Sequence, residues 1–268
     1  MAEGLDWKRR LVRAAKRWTP GWAKTSAKWF FHTVRFWVDY GRFRGRARRA
    51  SGRFTLRTKD LYPCLHDRTA TTSFDAHYVF HTSWAARVLE RTRPSLHLDF
   101  SSSLFFVGIA SSFVPIRFYD YRPARLGLKG LECLQGDLLK LPLADGSAES
   151  VSCMHVVEHV GLGRYGDPLD YDGDLKALAE LKRIVKPGGN LLFVVPVGVP
   201  RIQFNAHRIY GLRQVLGLFE GFELKERALV TDQGEFVPEA GEELSDAQGY
   251  GCACFWFSKK GTGSGAAS

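Results

Sequence analysis

The 268-residue chain lacks any apolar run approaching the roughly 18 residues that span a bilayer. Its 11 prolines and 27 glycines follow no period, which excludes a collagen-like chain and one without a packed core. Cysteine is sparse and odd in number: Cys64, Cys133, Cys153, Cys252 and Cys254 share no ligand-like spacing beyond one C-x-C. A disulfide framework is therefore not expected, and a reducing, cytoplasmic compartment is. G-x-x-x-x-G-K-[ST] does not occur, which argues against a P-loop nucleotidase, and no G-x-G-x-x-G follows the first strand, where a dinucleotide binder carries it. A secretory apolar segment is missing too, because Lys8, Arg9, Arg10, Arg13, Lys16 and Arg17 interrupt it. A mitochondrial presequence shares this arginine-rich amphipathic character, but Glu3 and Asp6 argue against one.

What is present is a charge asymmetry. Residues 1–59 carry 17 Lys/Arg and 3 Asp/Glu, a net of +14; residues 60–268 carry 21 and 25, a net of −4. Trp7, Trp18, Trp22, Trp29 and Trp37 are interleaved with the cations, and Trp18, Trp22 and Trp29 share one face of a helix. The segment 29–38 suits an interfacial position, with aromatics at the acyl boundary and cations on anionic headgroups. The block Arg42–Arg49 is expected to repel itself into an extended linker. Contact of residues 1–50 with an anionic membrane at its inner face is the leading reading of this arm. A helix that packs on the domain and an RNA-binding arm are the alternatives. The expected organisation is a basic arm (1–59), a body (60–258) and a disordered tail (259–268).

The body alternates short apolar strands with helical segments, the pattern of a doubly wound α/β fold with a mostly parallel sheet. Strands are expected at 96–100, 116–121, 131–135, 150–155 and 190–197, with a late pair at 222–230 and 252–258. Helices are expected at 79–91, 104–113, 174–185 and 207–219. In the third of these, Asp174 stands as the cap, Leu175, Leu178, Leu181, Ile184 and Val185 form the apolar face, and Lys186-Pro187-Gly188-Gly189 is the stop.

In such a sheet the ligand lies beyond the C-terminal strand ends. Those ends carry Asp99 with Ser101–Ser103, then Asp120 with Tyr121, then Asp137 with Leu138, then His155, Glu158 and His159. A carboxylate such as Asp120 can accept from both hydroxyls of a ribose. Asp137 can accept from an exocyclic amine of a purine, and the serine turn can offer backbone N–H groups to an anion. Strand-end Asp and Ser are also common turn residues, but four in order strengthen the functional reading.

The stretch Gly136–Ser147, followed by Glu158-His159 and by the helix ending Lys186-Pro187-Gly188-Gly189, resembles the class I S-adenosylmethionine-dependent methyltransferases. The order GD-x-x-x-LP-x-x-DGS … EH … L-x-R-x-x-KPGG is similar to their small-molecule and lipid enzymes. More narrowly, 155–168 and 190–210 resemble an uncharacterised bacterial methyltransferase-like family associated with surface-polysaccharide genes. The resemblance implies a Rossmann-like seven-stranded sheet and S-adenosylmethionine as cofactor. It places Asp99, Ser101 and Ser103 at the methionine end, Asp120 and Tyr121 at the ribose and adenine, Asp137 and Leu138 at the adenine edge, and His155 on the sulfonium side. The glycine loop usual in that superfamily is replaced at Ser101, Ser103 and Phe105.

A hydroxyl acceptor needs a base, and His159 beside Glu158 is the candidate. Arg164, Tyr165, Asn205, His207 and Arg208 are candidate acceptor-binding residues, with the two arginines suited to an acidic group. Asp75, His77 and Tyr78 are candidates for a lid. No metal is expected: Asp170, Asp172 and Asp174 alternate, but the EF-hand spacing fails. The expected activity is methyl transfer to a small-molecule or glycan-type hydroxyl. A catalytically silent fold serving as a binding or scaffolding module is the other reading. Nucleic acid is disfavoured as a partner, since the strand-four end is EHV and not N/D-P-P-Y/F.

Overall fold

The computed structural model describes residues 21–50 and 52–261, with side chains from residue 28 onward. Chain contacts divide it into two units, Met1–Ser73 and Phe74–Ser268; the boundary read from the sequence, at 59/60, falls inside the first.

In the first unit, helix α1 (Gly21–Ala47) takes in most of the arginine block that was expected to be extended. Arginine is a good helix former, Arg35 and Arg42 flank Asp39 at 3.7 and 3.9 Å, and Arg44 and Arg46 lie in the last turn, where the helix dipole favours cations. Trp29, Phe30, Phe31 and Trp37 are exposed. Of Trp18, Trp22 and Trp29, on which the one-face reading depends, Trp18 lies outside the described residues and Trp22 has no described side chain; Trp7 and residues 262–268 of the expected tail lie outside them too. Among the described residues no helix is long and apolar enough to cross a membrane.

The second unit is built on one sheet of strands β1 (His97–Phe100), β2 (Ile116–Asp120), β3 (Leu131–Gln135), β4 (Ala148–Met154), β5 (Val185–Val197), β8 (Phe222–Val230), β9 (Phe236–Pro238) and β10 (Gly251–Lys259), in the order β3-β2-β1-β4-β5-β10-β8-β9. The first five pair in parallel, and β10 pairs antiparallel with both β5 and β8. The sheet has eight strands and not seven, because Phe236–Pro238 folds back onto β8 as an extra edge. Lys259, expected in the tail, is the last residue of β10 and pairs with Phe222.

Helices α2 (Ala76–Thr92) and α3 (Leu104–Ala110) contribute Trp84, Val88, Leu89, Phe106 and Val107 to one buried layer. Helices α4 (Gly173–Ile184) and α5 (Leu212–Leu218) contribute Leu178, Leu181, Ile184 and Val215 to another. Strand β5 shows the two faces directly: Leu191, Phe193 and Val195 belong to the second layer, Leu192 and Val194 to the first. Such continuous burial is why these strands read as unbroken apolar runs.

Three local expectations change. Leu175 is exposed, and Asp174 is not the cap of α4 but lies inside it, where it accepts from the Tyr210 hydroxyl at 2.8 Å. Residues 207–219 are not one helix, because His207–Ile209 (β7) pairs with Arg201–Gln203 (β6) before α5 begins. The Gly136–Ser147 stretch is held by α4: Glu180 accepts from Leu141 N at 2.8 Å, and Arg183 donates to Leu143 O and Asp145 at 2.7 Å each. Much of that motif therefore serves packing. Its DGS turn needs Gly146 at φ +60, and the stop after α4 needs Gly188 at φ +75.

Candidate functional site

At β1 the strand order reverses, and the C-terminal ends of β1 to β4 open onto a cavity of about 370 Å³. Among its lining residues are Ser101, Asp120, Tyr121, Asp137, Leu138, His155, His159 and Tyr165. The turn after β1 departs from glycine at a telling place: Ser101 adopts φ +55, the left-handed conformation that favours glycine, and donates to Tyr119 O at 3.3 Å. Phe105 lies in α3, is 84% exposed and is not part of the cavity wall, so its bulk does not fill the site. Gly136 packs closely, since a Cβ there would stand 3.1 Å from the Tyr119 side chain. Asp120 accepts from Arg122 N at 2.7 Å and Asp137 from Leu139 N at 2.9 Å through one carboxylate oxygen each, leaving the other oxygen to a ligand. The far wall is made by the loop after β4, where Tyr165 meets His159 edge-on at 5.8 Å and lies under the Arg122 and Arg164 guanidinium groups. Acids in that loop are occupied internally. Asp167 accepts from Gly161 N, Gly163 N and Tyr165 N, and Asp170 pairs with Lys176 at 2.6 Å. Burial alone would raise the Asp167 pKa; those N–H groups outweigh it and lower it.

Several residues singled out from the sequence are not on the cavity wall. Asp99 is fully buried beneath the first turn, where it accepts from Ser102 N at 3.0 Å and from the Ser152 hydroxyl; burial pushes its carboxyl up to about 7. Ser103 precedes α3 without a side-chain cap. Arg208 is buried and spent on carbonyls: it donates to Val160 O at 2.7 Å and Tyr171 O at 2.9 Å and faces Asp174 at 3.5 Å. It is a clamp on the loop and not an anion receptor. Asn205 is exposed at the tip of the β6–β7 hairpin, and Arg164 donates to Ala206 O at 3.2 Å. His207 Nε2 donates to Gln203 Oε1 at 2.7 Å, and its ring packs against Tyr250 at 4.6 Å; burial, then neighbouring His159, lowers its pKa. Glu158 is completely buried, with Oε1 2.9 Å from His155 Nδ1 and 3.8 Å from His159 Nε2, so it positions the histidines instead of meeting a ligand.

His159 is fixed by a 2.6 Å hydrogen bond between Nδ1 and Ala206 O. A carbonyl only accepts, so Nδ1 carries the proton and Nε2 keeps the lone pair. Sequence reasoning missed Arg122, Val156, Val160 and Pro168 in the wall, and it missed Tyr250 and Cys252 behind it. The last two lie about a hundred residues along the chain from His155, and no local pattern marks them. His77 and Tyr78, read as a lid, lie in the first turn of α2, stacked on His155 at 5.5 and 5.8 Å. Burial, followed by the neighbouring His155, lowers His77 to about 4.

A family described as a Caenorhabditis protein of unknown function, DUF268, matches residues 145–234. No curated protein matches the chain. The [4+2]-cyclase SpnF is similar at 14% identity and TM-score 0.50, over 67% of this chain and 81% of that one. The chain has a Rossmann-like, doubly wound α/β fold. The N-methyltransferase NodS from Bradyrhizobium japonicum, solved with S-adenosylhomocysteine, is similar at 13% identity and TM-score 0.47, over 74% and 91% of the two chains. The 1,6-didemethyltoxoflavin-N1-methyltransferase from Burkholderia thailandensis, also with S-adenosylhomocysteine, is similar at 11% identity and TM-score 0.48, over 68% and 79%.

Proposed function

We propose that this chain binds S-adenosylmethionine in the cavity at the β1–β4 strand ends and methylates a hydroxyl of a small-molecule or glycan-type acceptor. The observation that carries the reading is the convergence of Ser101, Asp120, Asp137 and His159 on one cavity of about 370 Å³ at the topological switch point. The residues fit the cofactor. Asp120 has a carboxylate oxygen for ribose hydroxyls, and Asp137 and Leu138 suit an adenine edge. When bound, the cofactor supplies an electrophilic methyl group on sulfur. The chain itself positions the acceptor and takes its proton. His159 Nε2 would accept that proton while Nδ1–H stays on Ala206 O, and the buried Glu158 carboxylate, 3.8 Å from Nε2, favours the resulting imidazolium. Tyr165, in the cavity wall with the Arg164 guanidinium over its ring, marks the side where an acceptor would enter.

The exposed aromatics of α1 and its cations support a second part of this reading, that the arm meets an anionic membrane carrying the acceptor. Deleting residues 1–50 is then expected to abolish pelleting with anionic vesicles; unchanged pelleting removes the idea.

Calorimetric titration with S-adenosylmethionine and S-adenosylhomocysteine tests the core of the proposal. Asp120→Ala is expected to weaken both by at least about tenfold, roughly 1.4 kcal/mol. His159→Ala is expected to keep that affinity and to slow transfer to a glycan hydroxyl by about 10²–10⁴-fold. Equal loss of both properties in either variant would sink the role assignment. A folded protein that binds neither compound would be a silent binding module.

A further inference from the structure

Behind the cavity, three side chains from distant parts of the second unit converge: His77 in the first turn of α2, His155 just after β4, and Cys252 near the start of β10. One ligand atom from each lies within 4.8 Å of the other two, and His155 Nε2 is 3.2 Å from Cys252 Sγ. In a tetrahedral zinc site the nitrogen and sulfur ligands stand roughly 3.6 Å apart, as metal–ligand lengths of about 2.0 and 2.3 Å require. We propose that His77, His155 and Cys252 bind a zinc-type divalent ion, with the fourth position left open.

Two observations beyond proximity point the same way. Glu158 Oε1 lies 2.9 Å from His155 Nδ1, which fixes the proton there and leaves Nε2, the nitrogen facing Cys252, as the ligand atom. The same Glu158 is fully buried, and its Oε2 has no partner. A buried carboxylate with an idle oxygen calls for positive charge nearby, and an ion on His155 supplies it across the imidazole. His77 is held in place for the set: its ring stacks between His155 and Tyr250 at 5.5 and 5.3 Å, with a ring nitrogen already inside the 4.8 Å group. One thiolate and two imidazoles favour zinc over magnesium or calcium, which take oxygen ligands. Bound there, the ion would tie the start of α2 to the ends of β4 and β10 and lock His155, which lines the cavity. This inference does not rest on the methyl-transfer reading.

The test uses the full chain, stripped with a chelator and titrated with zinc chloride and, separately, cobalt chloride. One equivalent is expected to bind at the site, with a thiolate-to-cobalt absorption band in the near ultraviolet. Cys252→Ala is expected to abolish the band and Cys64→Ala, at an exposed cysteine of the other unit, to leave it intact. His77→Ala keeps the thiol and replaces a half-buried residue at a helix start, so it decides the matter if Cys252→Ala fails to fold. It is expected to weaken zinc by at least about tenfold. Absence of the band in the unaltered protein, its persistence in Cys252→Ala, or zinc affinity unchanged in His77→Ala overturns the proposal. S-adenosylhomocysteine binding measured on the same samples is a separate readout, so the metal site and the cofactor site stand or fall independently.

Discussion

Two regions of the second unit carry similar residues and do opposite things. On the rim, Asp120, Asp137, Arg164 and His159 are partly or fully open to solvent, and the two acids retain an oxygen without a partner. Beneath and beside it, Asp99, Arg208, His97 and Glu158 are buried. Asp99, Arg208 and His97 spend their polar groups inside: His97 bridges the hydroxyls of Ser150 and Ser152 at 2.8 Å each. Aspartate, arginine and histidine occur in both regions. Burial and hydrogen bonding separate groups that hold the fold from groups that can meet a ligand.

The comparison breaks most visibly at its arginines. Arg208→Ala would leave Asp174 buried without its cation and free the loop carbonyls, a cost of about 3–5 kcal/mol. Arg164→Ala should stay within about 0.5 kcal/mol of the unaltered protein. Urea unfolding of the two variants checks this, and equal stabilities would erase the distinction.

The acids give a smaller contrast. Asp99→Ala leaves the Ser102 N–H and Ser152 hydroxyl without their acceptor and is expected to cost about 1–3 kcal/mol of stability. Asp120→Ala is expected to cost under about 0.5 kcal/mol and to act on cofactor affinity instead. Asp120→Ala unfolding as readily as Asp99→Ala would mean that the rim is structural too.

Titration sharpens the same contrast. Burial lowers His81 and His97 to about 3, so below pH 6.5 the unfolded chain binds two protons that the folded chain refuses. Asp99, raised to about 7, works the other way, since the folded state holds its proton above pH 4. These three groups leave a net of one and His77, lowered to about 4, adds to it, so stability should fall by at least roughly 1.4 kcal/mol per pH unit as pH drops from 6.5 towards 4. Thermal melts across that range test it, and a flat profile would show that the buried histidines accept protons in place. His97→Gln should flatten the slope.

The smallest effect is expected at the serine turn. Left-handed backbone costs a non-glycine residue of order 1 kcal/mol, so Ser101→Gly should gain up to about that much and keep cofactor affinity. A loss of stability would mean that the Ser101 hydroxyl on Tyr119 O matters more than the backbone.

Particular residues show how far the sequence reaches. The strand positions of β1 and β5 were legible because both faces of β1 and of most of β5 are buried and their residues run largely apolar, whereas β2, β3 and β8 mix apolar with exposed charged residues such as Arg117, Glu132, Glu223 and Lys225. The edge strand Phe236–Pro238 and the hairpin at 201–209 were not, being short and paired through neighbours that no period announces. In the site, Asp120, Asp137 and His159 were legible from their places just after apolar strands. Arg208 misled, because a buried arginine satisfied by carbonyls has the same local sequence as one awaiting an anion. Cys252 was invisible, since its link to His155 spans nearly a hundred residues.

The sequence by itself determined the alternation of strands and helices, the order of acids along the strand ends and the concentration of positive charge before residue 60, because periodicity and charge are local properties of the chain. Only the tertiary structure decided which of those polar groups face a cavity and which are sealed, and which distant residues meet. The physical reason is that solvation and hydrogen-bond partners belong to a position in space, and they are supplied by segments that the local sequence does not contain.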